Sequence, residues 1–271
     1  MGVLEEHLME MRKELFKTTE ATCDIHDEKL VQHKDYRPFC PVCASERVVE
    51  DEKELMEAGT EAAYNHKKRW LKERSLVVDR SLFDMTFDNY KVTDEETAAN
   101  KEKALDLARE YYKGSTKNGL LAGKFGTGKT HLAMAILNQL NEHKDQRNLF
   151  VSADELMRKV KSSIGNNESP FREDRMIELL SKADLLVMDD MGAEVGSVNR
   201  NSQAPDYTIR VINGVLNGRT SNPTIFTTNL SRKELETAYD GRIVDRMFKG
   251  VSQEDLIIFK RTPSKRTTLN F

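Results

Sequence analysis

The chain has 271 residues, 38% hydrophobic and 32% charged, with 42 basic against 45 acidic side chains and a net charge of −3. That length suggests about two domains, and no apolar run approaches the ~18 residues of a spanning helix, which excludes a membrane-spanning protein. The near balance of charge carries no global nucleic-acid signal and leaves room only for a local basic stripe.

The N-terminal stretch MGVLEEHLMEMRKELF interleaves apolar and charged residues. It lacks the uninterrupted apolar run of a secretory signal, and Glu6 stands where a myristoylation signal prefers Ser or Thr, so a cytoplasmic protein is expected. Leu4, Leu8, Met11 and Leu15, with Phe16, recur at helical spacing and predict an amphipathic helix.

All three cysteines fall in the next segment, CDIHDEKLVQHKDYRPFCPVC. An odd count in a reducing compartment argues against a disulfide framework and for metal or chemistry. Cys23 and His26 form a Cys-x-x-His pair, and Cys40 and Cys43 a Cys-x-x-Cys pair. Each tight turn brings two ligands to one side, and the loop returns the second pair, which is what a closed tetrahedral zinc site needs. Thiolates and imidazole suit Zn²⁺. His33 is the substitute for His26. A redox role for the Cys-Pro-Val-Cys pair would want a βαβ context, which the pattern lacks. Glu46 to Arg74 is highly charged and helical in pattern, with Trp70 and Leu71 near its end. It reads as a helical linker whose charges form a solvated face. Residues 1–75 are thus assigned to a small zinc-binding helical domain with its linker, and residues 76–271 to a second domain.

Residues 119–135, GLLAGKFGTGKTHLAMA, match G-x-x-x-x-G-K-[ST] in full from Gly123 to Thr130. Gly126 and Gly128 let backbone N–H groups turn toward phosphates. Lys129 reaches the β and γ phosphates, and Thr130 offers its hydroxyl to Mg²⁺. The strand Gly119–Leu121 precedes the loop, and a helix from His131 to Asn141 follows, its positive end aimed at the anion. Thr127 and His131 complete the nucleotide-binding run. Further on, a strand is expected at Asn148–Ser152, a helix at Ala153–Ser162 and another at about Arg172–Lys182. The apolar run Leu185–Met188 predicts a strand buried on both faces. It ends in Asp189, placed to hold Mg²⁺ through water, and Asp190, placed to polarise the attacking water. The polar stretch Gly192–Pro205 is aperiodic and reads as a plain loop or as one that senses nucleotide state. A helix at Asp206–Asn217 and a strand at Thr224–Thr228 follow. Thr228 and Asn229 then fall at a strand C-terminal end, where a polar side chain can reach a γ-phosphate. Alternating strands and helices indicate a parallel α/β sheet with its chemistry at those ends. The last segment carries Lys260, Arg261, Lys265 and Arg266 with no acid, which suits phosphate contact or a solvated tail equally. No aromatic–basic interleaving announces stacking on single strands.

GLLAGKFGTGKTHLA, LLVMDDMGAE, PTIFTTNL and GRIVDRMF, in that order, resemble the AAA+ helicase loaders of the DnaC/DnaI type, including phage versions, from about residue 80 to the end. TFDNY (Thr86 to Tyr90) resembles the opening segment of that module. The zinc-type N-terminus is similar to the DnaI branch, whose N-terminal domain docks on the replicative helicase. The resemblance implies an AAA+ P-loop ATPase that binds ATP and Mg²⁺, forms spiral or ring homo-oligomers, and places a DnaB-type helicase on single-stranded DNA. It assigns Lys129 and Thr130 to Walker A, Asp189 and Asp190 to Walker B, and Asn229 to sensor 1. Arg242 matches the arginine finger that completes a neighbour's site, with Arg246 as fallback. Arg266 matches sensor 2, with Lys265 as the alternative register. Arg242 and Arg246 are four apart beside Asp240 and Asp245, which also suits ordinary surface ion pairs. Many AAA+ ATPases carry Glu where this chain has Asp190. The shorter side chain implies slow hydrolysis, with Glu194 the acid that compensates. The alternatives are a transposition-helper ATPase, a small-substrate P-loop kinase and a non-hydrolysing adapter switched by ATP. The zinc appendage and the GRIVDR element favour the loader.

Overall fold

The computed structural model describes residues 15–195 and 203–265. The chain divides into two compact units, residues 1–63 and 64–271.

The first unit opens with an antiparallel hairpin, β1 (Phe16–Thr22) and β2 (Lys29–His33), in which Phe16 faces His33 and Thr18 faces Val31. β1 is polar and largely exposed and β2 is half-buried with its apolar Leu30 and Val31 adjacent, so neither alternates apolar with polar residues, and the sequence reading has no strands here. Phe16 starts β1 and so stands outside the amphipathic helix read from the spacing; Leu4, Leu8 and Met11 of that reading lie outside the described residues. The hairpin's turn closes through Cys23, whose N–H donates to the Glu28 carbonyl at 2.8 Å. Val31 then exchanges backbone hydrogen bonds with Phe39 at 2.8 and 2.9 Å, which carries the chain to Cys40 and the helix behind it. That helix, α1 (Pro41–Arg74), begins on a proline, whose missing N–H costs nothing in a first turn. Among the described residues of this unit only Cys40 is buried.

The second unit is built on a parallel five-stranded sheet in the order β4-β5-β6-β3-β7. Its strands are β3 (Gly119–Gly123), β4 (Asn148–Ser152), β5 (Leu185–Met191), β6 (Thr224–Thr228) and β7 (Ile257–Phe259). Around them run α2 (Glu95–Tyr112), α3 (Lys129–His143), α4 (Ala153–Ser162), α5 (Glu173–Ser181), α6 (Asp206–Asn217), α7 (Arg232–Ala238) and α8 (Gly241–Met247). Neighbouring strand residues turn to opposite faces, and each face has its own core. Leu120, Met188 and Phe226 pack with α4 to α8, whereas Leu121, Val187 and Ile225 pack with α2 and α3. No helix among the described residues is long and apolar enough to cross a membrane.

One feature of strand order governs the site. β6 lies between β3, which leads into the P-loop, and β5, which carries the acids. The register pairs Ala122 with Thr228 on one side and Met191 with Thr228 on the other. The residue after β6, Asn229, therefore emerges between the P-loop and Asp190.

Candidate nucleotide site and metal cluster

The P-loop turns at Gly126 (φ +74°) and Gly128 (φ +108°), both in the left-handed region. A Cβ on Gly126 would stand 2.2 Å from the Ser264 hydroxyl, and one on Gly128 2.9 Å from the Tyr90 ring, so each position has both the conformation and the space of glycine only. Gly123 (φ +147°) closes β3. Gly128 is also the N-cap of α3 and brings no side-chain acceptor to it. The first-turn N–H groups are then available to an anion. Thr127 is fully buried, and its hydroxyl donates to the Lys124 carbonyl at 3.0 Å, bracing the loop.

Lys129 donates to the carbonyls of Gly123 and Lys124 at 2.9 and 2.8 Å and to Asn229 Oδ1 at 2.6 Å. The Asn229 amide in turn donates from Nδ2 to Asp190 Oδ1 at 2.6 Å. One side chain thus spans the P-loop lysine and the second acid, using both ends of its amide. The Thr130 hydroxyl donates to the Asp189 carboxylate at 3.0 Å, and the Thr227 hydroxyl donates to the same carboxylate at 2.6 Å. Thr227 also accepts from the Asp190 N–H at 2.8 Å. Burial pushes the Asp189 carboxyl up to about 6, against the pull of the two hydroxyls and of Lys129. A buried carboxylate meeting a hydroxyl, oxygen donors only, suits a hard cation such as Mg²⁺.

Lys129, Thr130, Asp189, Asp190 and Asn229 line a cavity of about 840 Å³ between the P-loop and the segment from Val77 to Lys91, within the size range of small-ligand sites. His131 Nε2 donates to the Thr86 carbonyl at 2.8 Å, and its ring meets Tyr90 edge-on at 5.2 Å. Burial lowers its pKa, which keeps the ring neutral. His131 therefore binds the TFDNY segment to α3 as well as lining the cavity. Lys265 lies 4.0 Å over the Tyr90 ring, and its N–H donates to the Gly126 carbonyl at 2.8 Å. Arg266, the sensor 2 expectation, lies outside the described residues.

Two residues, Thr228 and Glu194, stand elsewhere than the sequence reading suggests. Thr228 does not face the cavity; its hydroxyl donates to the Met191 carbonyl at 2.7 Å. Glu194 cannot back up Asp190, because its carboxylate accepts from the Gly192 N–H at 3.1 Å and from the Tyr239 hydroxyl. Arg242 does not line the cavity of its own chain. It extends from the start of α8 into solvent, 80% exposed, and pairs with Asp240 at 3.1 Å. Arg246 is turned to Asn213 Oδ1 at 2.7 Å. The residue missed is Thr227, and strand alternation could have found it. In β6, positions 225 and 227 share one face and 226 and 228 the other, so the hydroxyl beside Asp189 is one residue earlier than the strand end suggests.

In the first unit, Cys23, His26, Cys40 and Cys43 converge, with all four ligand atoms within 4.8 Å of one another. The Cys23 and Cys43 sulfurs are 3.7 Å apart, and His26 Nδ1 is 3.8 Å from Cys23, 3.8 Å from Cys40 and 3.2 Å from Cys43. A tetrahedral zinc with Zn–S bonds of ~2.3 Å has S–S edges of ~3.8 Å, so the cluster has the dimensions of that ion. Backbone N–H groups of Ile25 and His26 draw the Cys23 thiol down to about 6. Burial and then the neighbouring sulfurs push Cys43 up to about 11. Packed thiols of this kind ionise together only around a cation. His26 Nε2 meets Glu46 Oε1 at 3.3 Å, the outer contact that orients a metal-binding imidazole. His33 is not in the cluster; its ring lies 5.2 Å from Phe16 and 5.8 Å from Tyr36. The cluster is compatible with zinc.

A P-loop strand, an acid strand and a polar strand end between them, at the C-terminal ends of three adjacent interior strands of a parallel sheet, define a P-loop nucleotide-binding domain. Residues 83–254 match the family described as Bacterial DnaA ATPase domain, and the chain belongs to that family. It is 31% identical over 172 residues to the protein named replicative helicase loader DnaC of Escherichia coli K12, covering 62% of this chain and 64% of that one. It is 30% identical over 173 residues to replicative helicase loader DnaI of Bacillus subtilis 168, covering 63% of this chain and 52% of that one. The matched region thus spans less than two thirds of either relative. A crystal structure of the DnaC helicase loader superposes with a TM-score of 0.55 at 19% identity, covering 67% of this chain and all of that one, a likeness of fold.

Proposed function

We propose that this protein is an ATP-hydrolysing helicase loader that docks on a DnaB-type replicative helicase and helps place it on single-stranded DNA. The observation that carries the ATPase reading is the hydrogen-bonded set Lys129–Asn229–Asp190 beside Thr130–Asp189–Thr227. The joining of that site to a four-ligand Cys/His cluster, with loaders among the relatives, supports the rest.

In this reading the N–H groups from Gly126 to Thr130 hold the ATP phosphates and Lys129 meets the β and γ oxygens. Thr130 and Asp189 would hold Mg²⁺, which when bound neutralises charge on those oxygens. Asp190, oriented by the Asn229 amide, turns the attacking water in line. Its one-carbon reach makes hydrolysis slow. Arg242 of one subunit completes the site of the next, which fits its exposure and its absence from its own cavity. Such an arginine is worth ~10³ or more in rate. Arg266 or Lys265 reports the nucleotide from the C-terminal segment, and the first unit, folded by zinc on Cys23, His26, Cys40 and Cys43, is the helicase-docking part.

The test mixes the full chain with the replicative helicase of the same organism under ATP and Mg²⁺ and follows co-elution, then measures ATPase with and without single-stranded DNA. Co-elution with DNA-responsive hydrolysis is expected. ATP binding with no hydrolysis would instead favour the switched adapter, and no association with helicase would sink the loader.

A further inference from the structure

Glu194 follows the acid pair by four residues and is the acid that the catalytic reading leaves unused. Its carboxylate is divided between two donors, the Gly192 N–H at 3.1 Å and the Tyr239 hydroxyl. Gly192 permits this approach because its φ is +100°, and a Cβ there would stand 2.4 Å from Leu230 Cδ1. Tyr239 is 3% exposed and ends α7 as its C-cap. The next residue, Asp240, is the N-cap of α8, accepts from the Arg242 N–H at 2.8 Å, and holds the Arg242 guanidinium. Desolvation raises the pKa of both Glu194 and Tyr239, so the phenol stays protonated and donates. The Ala204 N–H, at the foot of α6, is bonded to the Ala238 carbonyl of the same corner at 2.8 Å.

We propose that the hydrogen bond between Glu194 and Tyr239 is a positioning contact that couples the acid end of β5 to the setting of Arg242. The inference rests on the reading of Arg242 as an intersubunit arginine. Any shift of Asp189 and Asp190 on nucleotide binding reaches Glu194 through a three-residue connection. A withdrawn carboxylate is costly to leave unpaired, so the corner at Tyr239 follows the connection rather than parting from it. Asp240 and Arg242 are next in line. Each subunit thereby sets the arginine it offers its neighbour according to the state of its own site.

The test uses full-length Tyr239→Phe, which keeps the ring and removes the hydroxyl. Nucleotide affinity should stay near wild type and the fold intact, with a modest fall in melting temperature from the donor that Glu194 loses, while ATPase falls about tenfold to a hundredfold, the scale of a misplaced reacting group. The deciding readout is mixing. Asp190→Asn subunits cannot activate water but carry an intact Tyr239 and Arg242. Added in excess to Tyr239→Phe, they should restore hydrolysis, because the variant's own sites then face a properly set arginine. Unchanged ATPase in Tyr239→Phe, or a loss that mixing does not restore, overturns the proposal. If Tyr239→Phe fails to fold, Glu194→Gln, equal in size, should show a smaller loss with the same rescue, and no loss there is equally decisive against it. Arg242→Ala runs alongside. If it keeps full ATPase, the arginine reading itself has failed, whereas loss in Arg242→Ala with none in Tyr239→Phe removes only the coupling.

Discussion

The two units are held together in opposite ways. The second buries an apolar core on each face of its sheet. In the first, Cys40 is the one buried residue among those described, and it is a ligand of the Cys/His cluster. A segment with so little burial does not fold on apolar area alone; with zinc bound as proposed, the four-residue cluster would take the place of a core. The comparison teaches that the loss of one ion and the loss of one large side chain should injure different halves of the molecule.

The largest effect expected is from metal. Removing zinc by chelation, or replacing Cys43 by Ser, should unfold the first unit, since structural zinc supplies on the order of 10 kcal/mol of folding free energy. Limited proteolysis should then cut within residues 15–63 while the melting transition of the second unit persists. A single cooperative loss of both units would break the contrast. Next, Phe226→Ala in the sheet, 0% exposed, should cost about 3–5 kcal/mol and leave zinc content unchanged, as measured by denaturant titration and metal analysis.

A smaller effect is expected with pH. Partial burial disfavours the Glu96 carboxylate, but the Thr262 hydroxyl and the backbone N–H groups of Lys260, Thr262 and Arg261 overcome this and draw its pKa from 4.5 down to about 2. Because the folded value is depressed, this contact stabilises the second unit above pH ~4.5, and the contribution is lost as pH falls from there toward ~2. Glu96→Gln should lower the melting temperature at neutral pH and flatten its decline over that acidic range. The smallest effect is expected from His33→Ala, which should leave zinc stoichiometry unchanged where His26→Ala reduces affinity; metal loss on His33→Ala would contradict the geometry of the cluster.

How much was legible follows from how local each signal is. β4, α4, α6 and β6 begin and end at the residues the sequence pattern suggests, because continuous apolar runs and helical spacing are properties of short windows. The first hairpin escaped because FKTTEAT alternates nothing. β7, three residues long, is too short for any period. In the site, the P-loop and the acid pair are contiguous motifs and could be read directly. Thr227 at Asp189 and Tyr239 at Glu194 are contacts across 38 and 45 positions, which only the sheet and its following helices bring about. Spacing favoured His26 and kept His33 as its substitute. What separates them is that the Phe16 and Tyr36 rings occupy His33.

The backbone at Asp190 has a consequence for the choice of acid. Its φ is +59°, a conformation that Asn and Asp tolerate and longer side chains resist. The shorter acid is therefore set by the bend at the end of β5 as much as by chemistry. In the proposed reaction, exchanging Asp190 for Glu would gain reach toward the attacking water while straining the main chain by roughly 1 kcal/mol or more, whereas Asn fits the same bend. In that reaction, catalytic speed and backbone comfort would pull this one position in opposite directions, and a faster variant would have to rebuild the bend before it lengthened the side chain.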